Sequence, residues 1–155
     1  MKLIKLIIEN YRGISESCEI KFDNSNIIFL IGQNNIGKST FLHAYEYFTS
    51  AKMIAEKEDF YNFDSNNIIV ITGIFEKENY DDTDTDLIGT GNAREPNWIN
   101  KWVDVNNGNI VKVKKIWTRV GESFNKFTWS VELNDWVVNG FGGLHSKFTK
   151  YTPTP

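Results

Sequence analysis

Apolar residues fall along this chain in two rhythms, and the change between them marks where strand gives way to helix. Residues 2–10 are rich in Leu and Ile and predict a first strand, broken by Tyr11-Arg12-Gly13, where Gly13 suits a turn. Cys18, Ile20 and Phe22 then alternate with Glu19 and Lys21, the period of two expected of a half-buried antiparallel strand. Asp23-Asn24-Ser25-Asn26 is a turn cluster. Residues 27–31 are apolar at every position, as in a central strand covered on both faces of an α/β sheet. After a glycine-bearing loop the period lengthens. Phe41, Tyr45 and Phe48, with Leu42 beside them, recur at helical spacing and predict a helix from Lys38 to about Ser50.

The second half reads as mostly β. Residues 60–67 are irregular, and 68–75 form another strongly apolar strand in which Gly73 marks a bulge or a close approach. Residues 76–97 lose periodicity and gather Asp, Thr, Asn and Gly, which predicts a surface insertion. From Trp98 onward the pattern is read as β again, with a strand over 110–118. A second strand carries Phe127, Trp129, Val131 and Leu133, and a turn at Asn134-Asp135 leads into Trp136-Val137-Val138. Phe141-Gly142-Gly143-Leu144 reads as loop, and 151–155 as an extended linker.

Composition narrows the class without naming a function. The 155 residues are 41% hydrophobic and 24% charged, within the range of ordinary globular domains. The longest apolar run, 27–31, is too short to cross a bilayer, and charges interrupt residues 1–20, so neither a membrane span nor a secretory signal is expected. A cytoplasmic location follows as the expectation. Cys18 cannot pair internally and reads as a small buried residue. The two histidines, His43 and His145, have no zinc-like spacing; His43 is expected to be partly exposed, and His145 has no evident partner.

A net charge of −3 offers no global case for nucleic-acid binding. Charge is unevenly spread, however. The acids between Glu76 and Asp86 read as a solvated loop rather than a metal site. Lys112, Lys114, Lys115 and Arg119, with Trp117 and Trp129 nearby, offer a DNA-facing patch, against the simpler reading of a solvated β-face over core tryptophans.

The chemistry concentrates in Gly32-Gln33-Asn34-Asn35-Ile36-Gly37-Lys38-Ser39-Thr40, a full match to G-x-x-x-x-G-K-[ST]. It follows an apolar strand and opens a helix, the setting this motif requires. Gly32 and Gly37 allow backbone conformations that turn successive N–H groups inward. Those donors, Ile36 among the residues presenting them, combine with the positive end of the helix beginning near Lys38 to cradle phosphates. Lys38 is a compact cation suited to the β- and γ-phosphates, and the Ser39 hydroxyl is a hard oxygen ligand for Mg2+. Thr40 is expected on the α-phosphate side. Asn34 and Asn35 tolerate left-handed backbone and offer amides to the nucleotide. The cofactors expected are therefore ATP and Mg2+.

With a strand ending Asn10-Tyr11-Arg12, a strand over 18–22 and Phe29-Leu30-Ile31 leading into that loop, residues 1–50 resemble the amino-terminal lobe of RecF/SMC-like ABC-type ATPases. Within these they look most like the OLD (overcoming lysogenization defect) ATP-dependent nucleases and related prokaryotic defence ATPases. The resemblance is looser over 68–155. It implies an α/β P-loop NTPase fold, a mixed β-sheet with a β-rich second half, over residues 1–155 as the first part of a longer ATPase domain. It also places Arg12 near the phosphates, and implies closure of dimers over ATP, coupled to DNA or to a nuclease partner or domain. No Q-loop, signature, Walker B pair, switch His or Toprim nuclease acids are evident, so negligible hydrolysis by these residues alone is expected. An ATP-sensing oligomerisation module is the rival reading. A small-molecule P-loop kinase fits the β-rich second half less well.

Overall fold

The computed structural model describes residues 1–22, 28–31, 38–89 and 96–150. The strands are β1 (Lys2–Tyr11), β2 (Ile14–Phe22), β3 (Ile28–Ile31), β4 (Ile69–Glu76), β5 (Ile110–Trp117), β6 (Asn125–Ser130) and β7 (Asp135–Val138). They form one sheet in the order β3-β2-β1-β4-β5-β6-β7. Every neighbouring pair is antiparallel, which corrects the mixed sheet expected from sequence. Short links join β1 to β2, β2 to β3, β5 to β6 and β6 to β7; the links from β3 to β4 and from β4 to β5 are long, and the first carries the chain past β2 and β1 so that β4 pairs with β1. The strand over 28–31, read as central, pairs with β2 alone among the described residues and so lies at a sheet edge.

Alternation along the strands sorts side chains between two faces. Leu6, Ile8, Cys18, Ile20, Ile69, Ile71, Val111, Val113 and Trp117 point to a buried face, none more than 2% exposed. Helix α1 (Lys38–Thr49) lies on that face and contributes Ala44, Tyr47 and Phe48 to the core. The Phe48 ring sits over Gly73: a Cβ built there would stand 2.2 Å from Phe48 Cζ. The glycine thus marks a close approach, and β4 keeps regular register with β5 through it. Gly73→Ala is expected to cost about 2–3 kcal/mol, because Phe48 is fully buried and must be displaced. Urea unfolding checks this as a lower midpoint at unchanged slope.

Strand β5 also closes the exit of α1. Lys115 Nζ donates to the Ser50 carbonyl at 2.6 Å and Trp117 Nε1 donates to the Met53 carbonyl at 3.0 Å. A cation beyond the last turn answers the negative end of the helix. Burial pushes this ammonium down to about 7, with repulsion from Lys126 adding to it.

Four segments depart from expectation, the first being 131–133, read as the end of a strand and found in the turn after β6, which ends at Ser130. Residues 98–102, read as β, form the short helix α3 (Trp98–Trp102), numbered after a one-turn helix α2 (Thr85–Ile88). Its two tryptophans lie four apart on one buried face and stack near Phe141, with ring centroids at 5.2 and 6.2 Å. Residues 142–144, read as loop, open helix α4 (Gly142–Lys150). Two glycines disfavour a helix, but burial of Leu144 and His145 outweighs that propensity. The acidic stretch is not simply solvated either. Asp81 is fully buried, takes an ion pair from the Met1 amino group at 2.6 Å and accepts the Glu78 N–H at 2.7 Å. Lys147 of α4 bonds Asp84 beside it.

Candidate functional site

The junction between β3 and α1 is where the G-x-x-x-x-G-K-[ST] motif falls. Gly32, Asn34, Asn35, Ile36 and Gly37 lie outside the described residues, as do the side chains of Lys38 and Ser39. What is described is the frame. Strand β3 ends at Ile31, α1 begins at Lys38, and the twelve-residue helix carries no acidic side chain in its first turn. Its positive end is therefore not neutralised by its own sequence, which fits an anion at that place. Thr40, half-buried, belongs to the same first turn.

Arg12 reaches the same end of the sheet. Strands β1 and β3 are both antiparallel to β2, so they run in one direction, two strand spacings or about 10 Å apart. Ile31 lies level with Ile7 through Glu19, and β1 continues roughly 13 Å farther to Tyr11. The turn that follows carries Arg12 with φ 52°, a left-handed value uncommon for arginine.

A contact that sequence did not disclose holds this conformation. The Arg12 N–H donates to the Asp59 carbonyl at 2.7 Å, and its guanidinium meets Asp59 Oδ1, with Nε at 3.2 Å and one terminal nitrogen at 3.1 Å. Asp59 is buried, and its other oxygen accepts from the Tyr47 hydroxyl of α1 and from the Glu56 N–H at 2.9 Å. Burial first, then the bond to Asp59, pushes the Tyr47 hydroxyl far up, so it remains a donor. The Tyr11 ring stacks edge-on against Tyr47 at 5.2 Å and lies under the Arg12 guanidinium at 5.4 Å. The result is a fixed arginine, about one third exposed, tied to α1 through a shared carboxylate. Asp59 lies in an irregular stretch with no periodic signal, 47 positions from Arg12. Only folding brings the pair together.

The basic patch does not hold together. Lys112 and Lys114 occupy the sheet face opposite α1, over Trp129 at 5.6 Å and Trp136 at 4.3 Å respectively. Lys115 and Trp117 point to the buried face, and Arg119 is exposed beside Glu122. Period-two alternation divides neighbours that a sequence lists side by side. His43 is partly exposed, as expected, and lies 3.6 Å from Glu46. His145, by contrast, is buried and bonded to Thr128 at 3.0 Å. Cys18 is buried and in no disulfide among the described residues, in keeping with its reading as a small core residue.

Among the described residues no cluster of three or more His, Cys, Asp or Glu side chains is placed to hold a metal. Among them, too, no helix is long and apolar enough to cross a membrane. Comparison with curated proteins finds no match. The sequence model of the AAA ATPase domain family matches residues 1–136, a span that takes in the first strands, the glycine loop and helix α1, as well as Arg12 and Asp59. The chain therefore belongs to the AAA ATPase domain family.

Proposed function

We propose that this chain binds ATP with Mg2+ through residues 32–40, and that Arg12 supplies a further cation to the phosphates. The observation that carries this reading is a complete G-x-x-x-x-G-K-[ST] motif set between the end of β3 and a helix whose first turn bears no acid. In this reading backbone N–H groups of the loop hold the phosphate oxygens, Lys38 neutralises their charge, and Ser39 provides one oxygen to the metal. The bound metal supplies charge neutralisation between the phosphates. Arg12, held by Asp59 before any ligand arrives, loses little side-chain freedom on binding.

In the complete protein we infer ATP hydrolysis of the OLD/RecF-like kind. Dimer closure over nucleotide would drive a DNA-directed nuclease or an antiphage defence assembly. This rests on the resemblance over residues 1–50 together with membership of an ATPase domain family.

Thermal unfolding with and without ligand tests the binding step. Mg·ATP at about a hundred times its Kd contributes about 2.7 kcal/mol, a rise of about 8 °C for a domain of this size. Lys38→Ala is expected to abolish the rise while melting near the wild-type temperature without nucleotide. An equal rise in both proteins, or none in either at millimolar Mg·ATP, would sink the proposal.

A further inference from the structure

Two lysines face each other across the sheet where a lysine and an acid would be expected. In the ladder between β5 and β6, Lys115 and Lys126 are direct partners, so their side chains leave the same face about 5 Å apart. That face is the buried one, where Thr128 and Ser130 follow Lys126 along β6. Like charges directly opposite cost stability, and burial removes the water that would screen them. Lys115 has a structural role, since it donates to the Ser50 carbonyl and lies over the Phe124 ring at 4.0 Å. Lys126 has no such role: among the described residues it forms no ion pair.

The two ammonium groups border a pocket. Lys115, Lys126, Phe124, His145, Ser146 and Ala51 line a cavity of about 160 Å3. Ala51 and Ser146 are exposed, so it opens to solvent between the end of α1 and α4. Its volume is that of roughly five waters, which suits an ion of five heavy atoms and excludes a nucleotide. Among the described residues no carboxylate lines it. The titratable groups that do are all bases and repel one another. Burial and then Lys126 push Lys115 down to about 7, and burial and then both lysines push His145 down to about 3. A negative charge seated in the pocket would relieve that repulsion.

We propose that this pocket binds a small tetrahedral oxyanion, with the charge and size of sulfate or phosphate, between the Lys115 and Lys126 ammonium groups. The Ser146 hydroxyl supplies a further donor at the mouth. Bonds from ammonium to oxyanion are charge-assisted, and partial burial strengthens them. The site is separate from the glycine motif. It lies beyond the last turn of α1, whereas the motif lies at the first, about 18 Å away along the helix. It stands whether or not residues 32–40 hold a nucleotide.

Calorimetric titration of the full chain with sulfate, in chloride buffers of constant ionic strength, tests the assignment. Lys38→Ala is used as the background, so that the glycine motif does not contribute. One sulfate is expected to bind at millimolar concentration or below. Lys126→Gln in that background is expected to weaken it about tenfold. The same change should melt no lower in chloride, because it removes the repulsion from Lys115. Binding at pH 7 should also take up protons, since the anion restores charge to Lys115 while sulfate itself does not titrate there. The heat should therefore vary with the ionisation enthalpy of the buffer. Repeating the titration with phosphate shows which oxyanion the pocket prefers, the tighter binder being its ligand. No binding at millimolar sulfate or phosphate, equal affinity after Lys126→Gln, or no proton uptake would each overturn the proposal. So would a Lys126→Gln chain that fails to fold, because the ammonium would then belong to the core and not to a ligand site.

Discussion

Replacing Trp117 with alanine is expected to lower the unfolding free energy by about 4 kcal/mol. Trp117 is fully buried on β5 and packs edge-on against Tyr47 at 5.2 Å and Phe124 at 5.3 Å. It therefore joins the sheet to α1 on one side and to the approach to β6 on the other. Removing a buried indole creates a large cavity, and Trp→Ala changes of this kind cost about 3–5 kcal/mol. The lost bond from Nε1 also leaves the Met53 carbonyl without that donor. For a domain of this length the change corresponds to a melting point lower by about 12 °C. Trp117→Phe should lose roughly half as much, because the ring contacts remain and only the indole N–H and part of the volume go. Equilibrium unfolding in urea measures both, and a loss under about 1 kcal/mol for alanine would show that Trp117 does not organise this core.

Acid should destabilise the fold through His145. Its imidazole is buried on α4 and bonded at Nε2 to Thr128 Oγ1. The same hydroxyl donates to the Asn139 carbonyl at 3.1 Å and accepts the Phe141 N–H at 3.1 Å. A hydroxyl has one proton, so with that proton on Asn139 the imidazole must donate from Nε2. Gly140, at φ 51°, completes the corner: a Cβ there would meet Thr128 Cβ at 2.7 Å. Burial first, then repulsion from Lys126 and Lys115, pushes the imidazole down to about 3 from an ordinary 6.5. The unfolded chain therefore binds a proton between those values that the folded chain refuses. Stability is complete above about 6.5 and falls as pH drops toward 3, the sign expected when the folded value is depressed. Between pH 7 and pH 4 this amounts to about 3 kcal/mol. His145→Gln keeps an N–H donor for Thr128 and cannot titrate. Unfolding curves of the two proteins should diverge by about that amount on acidification, with carboxylate effects common to both. Parallel pH profiles would mean that the imidazole is charged in the native state or reaches solvent.

The candidate site was legible in sequence wherever its chemistry is local. The glycine motif is contiguous, and its residue types are those expected to meet a phosphate or a metal. The turn at Arg12 was equally visible, although what holds the guanidinium was not. Strands and α1 were legible because Cys18, Ile20 and Phe22, or Phe41, Tyr45 and Phe48, repeat often enough to declare a period. Helix α3 offers one such repeat, Trp98 to Trp102, too little to separate a helical turn from a strand.

Sequence by itself thus determined the G-x-x-x-x-G-K-[ST] motif, the existence of the main periodic elements, and a bulge or a close approach at Gly73. Tertiary structure alone decided the antiparallel order of the sheet and the carboxylate of Asp59 behind Arg12. It also decided the burial of Asp81, Lys115 and His145, and the placing of Lys126 opposite Lys115. The physical reason is common to these cases. Periodicity and motifs report a residue's relation to its neighbours along the chain, whereas pairing and desolvation depend on groups tens of residues away, which become neighbours only when the apolar face of the sheet is covered.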